Sequence, residues 1–195
     1  EMFELCLRCG IKIAGVIDAM PTAVQGYDIP YLGPDKVVLA NPEAYAHIPL
    51  VIVPDAPVAR RCIVERYRAA GFKFASVVSP DADISPTSEL GEGVVIQSHV
   101  VITAQSVIGN FAKLNIGAKV FHECRVGDYS TVAPGATLLG RVQVGNDAYI
   151  GASSTILPDR IVGRGSTVGA GAVVTRDVPA QQVFAGVPAR RLVRV

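Results

Sequence analysis

The sequence has almost no net charge. Eighteen Lys and Arg stand against 17 Asp and Glu, for a formal net charge of +1. That balance gives no global electrostatic pull toward nucleic acid or an anionic membrane surface. Long apolar runs are missing too: none approaches the ~18 residues of a membrane-crossing helix. The opening residues, Glu1 to Leu5, carry neither a basic start nor a small-residue cleavage site. No signal peptide is expected, and a cytoplasmic location with a trimmed or partial N-terminus is. Cysteine is sparse. Cys6, Cys9, Cys62 and Cys124 lie in apolar or helix-like stretches and are read as reduced. Cys6 and Cys9 have C-x-x-C spacing but no second pair, so they are taken as two small helix residues. Only three histidines occur, which restricts both metal chemistry and the choice of a general base. Charged residues make up 18% of the chain and hydrophobic ones 50%, enough apolar side chain for a real core.

Two textures divide the chain. Residues 1–71 alternate helix-like and strand-like segments. Residues 1–9 read as the end of a helix stopped by Gly10, 11–18 as a strand, 42–47 as a short helix, and 49–53 as a buried apolar strand. Residues 58–70 predict a helix with Ile63, Val64 and Tyr67 on one face and Arg60, Arg61, Glu65 and Arg68 elsewhere. Gly71 ends it. The alternation predicts a small α/β Rossmann-like domain with a parallel sheet.

Beyond Gly71 helical periodicity disappears and an internal repeat replaces it. From Val78 every sixth residue up to Val174 is Ile, Leu or Val, without a break. Four positions after each of these the side chain is small, as at Ala112, Ala118, Cys124, Ser130 and Ala136, or Val. Arg160 is the exception. A period of six suits neither an amphipathic helix nor a hairpin. It suits a parallel β-helix in which each hexad is one short strand and one corner, and three hexads close a triangular coil. Coils then stack at the ~4.8 Å strand spacing, giving a prism roughly 27 Å tall. The aliphatic residue points inward, the small one fills the cramped corner, and Gly or Asn is expected where the corner needs a positive φ. Residues 72–195 are thus read as a left-handed parallel β-helix with a C-terminal tail, making the chain mainly β.

A prism with flat walls has its chemistry at edges or between packed copies. His122 stands out because Glu123 follows it: a carboxylate orients an imidazole and stabilises its protonated form. Eighteen residues make one coil, so the column above His122 holds Gly140, Pro158 and Arg176. A glycine beside a base lets a thin ligand approach the backbone, whose N–H can stabilise an oxyanion. An arginine further along the column can meet a phosphate. Cys124 falls in the small-residue column and points inward, so it is not read as a nucleophile.

Residues 114–124 (LNIGAKVFHEC) resemble the catalytic stretch of the hexapeptide-repeat sugar acyltransferases, in particular the sialic acid O-acetyltransferase and UDP-4-amino-sugar N-acetyltransferase group. Residues 168–179 (VGAGAVVTRDVP) and 185–190 (AGVPAR) resemble that family's coenzyme-binding end, and the N-terminal unit resembles its nucleotide-sugar-binding domain. The resemblance implies acetyl-coenzyme A as donor, no metal, a nucleotide-linked amino sugar as acceptor, and a homotrimer with sites between subunits. It implies His122 as general base in a direct transfer, Glu123 polarising it, and the Gly140 N–H holding the thioester oxygen. Asn115 and Asp18 would bind the acceptor; Ala170, Arg176, Pro188 and Arg190 would line the coenzyme path. Two departures follow. The family's opening strand and Gly-rich loop would lie before Glu1, and the stretch where the family often has a second histidine reads DYSTV here, residues 128–132, in which Thr131 is left as a hydrogen-bonding contact to the acceptor.

Competing readings are O-acetylation of a sialic acid or other sugar, a zinc enzyme on the same fold, and a non-catalytic scaffold. Zinc needs converging imidazoles, and the prism has only His99 and His122, 23 residues apart.

Overall fold

The structure, a computed structural model, describes residues 1–192. Seventeen two-residue strands, from Val77–Val78 to Val173–Val174, carry the six-residue period into space, and each ends on one residue of the aliphatic column. Pairing runs from i to i+18: Val120 sits between Ile102 and Leu138, and Val132 between Leu114 and Ile150, all parallel. Every third strand therefore joins the same sheet, and three sheets of 8, 6 and 5 strands wall a left-handed prism. We call these the first face (Lys113–Leu114, Thr131–Val132), the second (Lys119–Val120, Thr137–Leu138) and the third (Arg125–Val126, Gln143–Val144). The first face continues at the top into a hairpin of Val183–Ala185 and Arg190–Arg191.

The aliphatic column is the core. Leu114, Val120, Val132, Leu138, Ile150, Ile156 and Val168 are fully buried, each worth roughly 1.5–3 kcal/mol in apolar burial. Leu90, in the lowest coil, is 38% exposed because no full coil lies beneath it. In the small-residue column Ala112, Ala118, Cys124, Ser130 and Ala136 are also sealed. The serines add a second use: Ser106 and Ser130 donate to the carbonyls of Phe121 and Gly145, which satisfies a buried hydroxyl inside an otherwise apolar prism. Arg160 stands at the edge of this column, half-buried, its guanidinium turned toward Asp177 at 3.5 Å.

Positive φ is not reserved for Gly and Asn as expected. His99, Phe111, Glu123, Tyr129, Arg141 and Asp159 all adopt it. The corner imposes the conformation through its ladder contacts, at a local cost of order 1–3 kcal/mol for a non-glycine residue. Glycine is demanded at a different position. A Cβ on Gly109 would lie 2.7 Å from the Asp128 backbone N in the next coil.

The N-terminal unit carries α1 (Met2–Arg8), β1 (Val16–Ile17), β2 (Tyr31–Gly33), α2 (Asp35–Leu39) and α3 (Pro57–Ala69). The parallel sheet is smaller than the sequence suggests. Only β1 and β2 pair as strands, and the 49–53 segment contributes a single parallel bridge, Leu50 to Phe74. The 42–47 helix is reduced to a 3-10 turn, Pro42–Ala44. In α3 the expected apolar face is present, with Val64 and Tyr67 buried, but Arg60 is on it as well, 1% exposed. Three to four residues before Ile63 and Val64, it shares their side of the helix.

Arg60 fastens the unit to the first face. Its Nε donates to the Phe111 carbonyl at 2.8 Å, and Nη2 to the Tyr129 and Ser130 carbonyls and the Thr131 hydroxyl at 2.6, 3.0 and 2.9 Å. Nη1 donates to the Pro54 carbonyl. Burial pushes its pKa down to about 10, against the pull of Asp55 and Asp147, so it stays a cation at neutral pH. Beside it Arg61 makes a bidentate pair with Asp147, both bonds 2.7 Å, and lies 4.1 Å over the Tyr129 ring. Arg60→Met keeps the volume but strands several buried acceptors. We expect a loss of about 3 kcal/mol or more, read as a lowered denaturant midpoint, with Arg60→Lys in between.

Candidate active site

The corner between the second and third faces presents an imidazole held at Nδ1 by the carboxylate that follows it in sequence. His122 lies two residues beyond Val120, and Gly140 two beyond Leu138, its ladder partner. The ladder stacks His122, Gly140 and Pro158 one coil above another; Arg176 lies two residues beyond the last ladder pair, Ile156 with Val174, where the coil shortens so that Val178 bridges Val162. Glu123 has φ 59°, and the left-handed backbone turns its carboxylate back along the corner to His122. Glu123 Oε2 is 3.0 Å from His122 Nδ1. That contact puts the proton of a neutral imidazole on Nδ1 and leaves the Nε2 lone pair free. Nε2 points over Gly140: a Cβ there would be 2.4 Å from Nε2 and 2.5 Å from Cε1. Only glycine leaves room for this ring. His122 and Glu123 are each about half exposed, so the free nitrogen faces a site open to substrate. Chemically, this arrangement can accept a proton at Nε2 beside exposed backbone.

Other expected site residues lie elsewhere on the chain. Asn115 and Ala170 belong to the corner between the first and second faces, across the second face from the His122 corner. Ala170, Arg176, Pro188 and Arg190 are exposed. Asp18 is exposed at the end of β1, where its carboxylate accepts from the Met20 N–H and its carbonyl from the Tyr31 hydroxyl. It borders a cleft of about 610 Å³ lined mainly by apolar residues of β1 and of the Leu50 segment. This unit packs on the first face, so the cleft and His122 are on different sides of one prism.

Thr131 requires correction. It is completely buried, its hydroxyl donating to the Asp55 carbonyl at 2.7 Å and accepting from Arg60. Sealed between Asp55 and Arg60, the hydroxyl is out of reach of an acceptor. Asn115 is 5% exposed. Its Nδ2 donates to Asp55 Oδ1 at 3.0 Å while its Oδ1 has no partner. Lys113, buried, gives its ammonium to the same Asp55 oxygen at 2.9 Å and to the Val53 carbonyl at 2.7 Å. Burial alone would raise the Asp55 pKa; the hydrogen bonds from Asn115 and Lys113 hold it below the ordinary carboxylate range. Asp55, Lys113 and Arg60 were not singled out from the sequence. The available signal was Asp55 at the end of an apolar run, where α/β units place ligand-binding groups.

Cys124 is buried, its thiol donates to the Leu139 carbonyl at 3.1 Å, and burial pushes its pKa up; it is part of the packing. His99 and His122 belong to different corners, and no cluster of three or more His, Cys, Asp or Glu with metal-holding geometry occurs among the described residues. No helix among them is long and apolar enough to cross a membrane.

Comparison with known proteins adds the following. The family described as bacterial transferase hexapeptide (six repeats) matches residues 141–176. No curated protein sequence matches the chain. Among solved structures, perosamine N-acetyltransferase from Caulobacter crescentus, a histidine-to-asparagine variant in complex with CoA and GDP-perosamine, is 32% identical with a TM-score of 0.91. The match covers 98% of this chain and 90% of that one. The acetyltransferase domain of PglB from Neisseria gonorrhoeae is 31% identical, TM-score 0.88, covering 97% and 92%. WeeI from Acinetobacter baumannii is 33% identical, TM-score 0.83, covering 91% and 85%. A six-residue repeat folded into three walls, an imidazole–carboxylate pair at its corner and identity of about a third over almost the whole length lead to one conclusion: the chain belongs to the family of hexapeptide-repeat sugar acetyltransferases.

Proposed function

We propose that the chain is an acetyl-coenzyme A-dependent acetyltransferase that N-acetylates an amino sugar carried on a nucleotide, with His122 as general base. One observation carries the reading: Glu123 holds Nδ1 while Nε2 lies free over Gly140. The Caulobacter relative, solved with CoA and GDP-perosamine, and the Neisseria domain, solved with acetyl coenzyme A, support the choice of donor and acceptor class.

In this reading the sugar amine attacks the thioester carbonyl carbon, the C–N bond forms and the C–S bond breaks. His122 Nε2 takes the proton the amine loses and returns it to the departing sulfur, and Glu123 stabilises the imidazolium between those events. The Gly140 N–H, without a partner among the described hydrogen bonds, meets the charge developing on the carbonyl oxygen. Arg176, three coils above the base, takes a phosphate of the donor; Ala170, Pro188 and Arg190 line the rest of its path. Asp18 and the cleft beside it receive the nucleotide, and Asn115 positions the sugar. Residues 1–71 then serve the acceptor and 72–195 the transfer.

One chain cannot bring these parts together, because the Asp18 cleft and Asn115 face away from the His122 corner. Three prisms about a threefold axis would set the His122 corner of one against the Asn115 corner of the next. The working form is therefore a homotrimer with shared sites, acting in the cytoplasm where the thioester donor is made.

Thiol release from acetyl-coenzyme A with a panel of nucleotide amino sugars tests the activity. His122→Ala should lower kcat at least ~100-fold, and Gly140→Ala nearly as much, since its methyl group displaces the ring. Coenzyme A binding without any turnover would redirect the search to other acceptors, including sugar hydroxyls; no coenzyme A binding at all would favour a scaffold. Sedimentation should give a trimer, and an active monomer would rule out shared sites.

A further inference from the structure

Glu123, Arg141 and Asp159 occupy the same corner position in three successive coils, with φ of 59°, 61° and 62°. Equal backbone conformation sends the three side chains out in the same direction, about 4.8 Å apart. Arg141 thus has a carboxylate on either side, Glu123 one coil below and Asp159 one coil above. It is committed upward: Nε is 2.6 Å from Asp159 Oδ1 and Nη2 is 2.9 Å from Oδ2. Glu123 is left to His122. Arg141 and Glu123 nevertheless border one open depression, together with Gln105, Arg125 and Gln143. A guanidinium fork offers a carboxylate two parallel charge-assisted bonds, against the single bond an imidazole can give. Left without a partner, Arg141 outcompetes His122 for Glu123.

We propose that Asp159 is a positioning residue for the base: by engaging the whole fork of Arg141 it keeps that guanidinium off Glu123 and leaves the carboxylate to orient His122. The inference rests on the reading of His122 as the base. The charged groups around His122 are Glu123 on its own corner and Arg141 and Asp159 on the coils above; Arg125, on the adjoining face, borders the depression that Glu123 and Arg141 line. Arg160 lies beside Asp159 and is paired with Asp177; Cys124 points inward with its thiol neutral. Hydrogen bonding from Arg141 holds the Asp159 carboxyl below its ordinary range, so Asp159 keeps its charge across the whole range in which an imidazole titrates. Arg141, Asp159, Glu123 and His122 are all about half exposed. Solvent therefore weakens each pair, and the number of hydrogen bonds decides the competition.

The test is an NMR titration of the His122 ring in the full, ligand-free protein, comparing wild type, Asp159→Asn, Arg141→Gln and the double variant. The Asp159→Asn protein should show a His122 midpoint lowered by about 0.5 pH unit, because the imidazolium loses its carboxylate and gains a cation nearby. Its ring nitrogen shifts should also lose the preference for the proton on Nδ1. The double variant should recover both, and Arg141→Gln alone should keep both. In turnover, the high-pH plateau of kcat should fall roughly fivefold in Asp159→Asn and return in the double variant, a modest part of what a general base contributes. An unmoved midpoint overturns the proposal. So does a lowered midpoint with tautomer and plateau intact, which marks the loss of one distant charge, and so does a defect the second substitution fails to repair. If the titrations behave as described but no protein in the series transfers an acetyl group, the ion-pair arrangement stands and the acetyltransferase reading fails.

Discussion

Everything in this molecule depends on the eighteen-residue closure of the coil. A strand of two residues is far too short to be stable alone, and between the end coils each is held by a ladder partner above and below and by an aliphatic side chain stacked on its own copies. A slip of one residue would turn the aliphatic column outward and the polar positions inward. The register runs from Val77 to Val174 without interruption, so position in the sequence converts directly into position on the prism. That conversion is why residues as distant in sequence as His122 and Gly140 can be related by counting.

The His122–Glu123 pair is built from backbone geometry more than from side-chain packing. Glu123 reaches His122 because its corner is left-handed, and Nε2 has room because Gly140 lacks a side chain. Neither residue is buried, so the pair owes its geometry to the ladder beneath it. The N-terminal unit follows the opposite strategy. It is joined to the first face by a sealed guanidinium with multiple hydrogen bonds and by the bonds that Lys113, Asn115 and Thr131 make to Val53 and Asp55, flanked by Arg61 on Asp147 and the stacked Phe111 and Tyr129 rings, 5.3 Å apart. A charge buried without these acceptors would be costly; with them it fixes the orientation of α3 on the coil.

The repeat was legible in the sequence because each coil poses the same packing problem and receives the same answer, so the signal accumulates over seventeen hexads. The stacking of Gly140 on His122 was legible for the same reason. What escaped is non-repetitive. Arg60 looked like an ordinary polar helix residue, since a single sequence does not show which acceptors a folded partner surface will supply. Thr131 was taken for an acceptor contact because its place near His122 in the chain says nothing of Asp55 and Arg60, which arrive from 76 and 71 residues away and enclose its hydroxyl. The strand expected at 11–18 shrank to Val16–Ile17 because strandness in a sheet requires a neighbour, and residue pattern alone does not provide one. The corners, too, were expected to choose Gly and Asn, yet the ladder forces the same φ on Glu, Arg and Asp.

The constant rise of the coil has one last consequence. His122 and Arg176 are separated by three coils, about 14 Å at the usual strand spacing. That interval cannot be tuned smoothly: side-chain changes alter it slightly, but the backbone allows only whole-coil steps. The prism is in this sense a ruler with fixed graduations. A ligand gripped at both marks must match its reach to them, so selection by length is written into the scaffold before any side chain reads the ligand's chemistry.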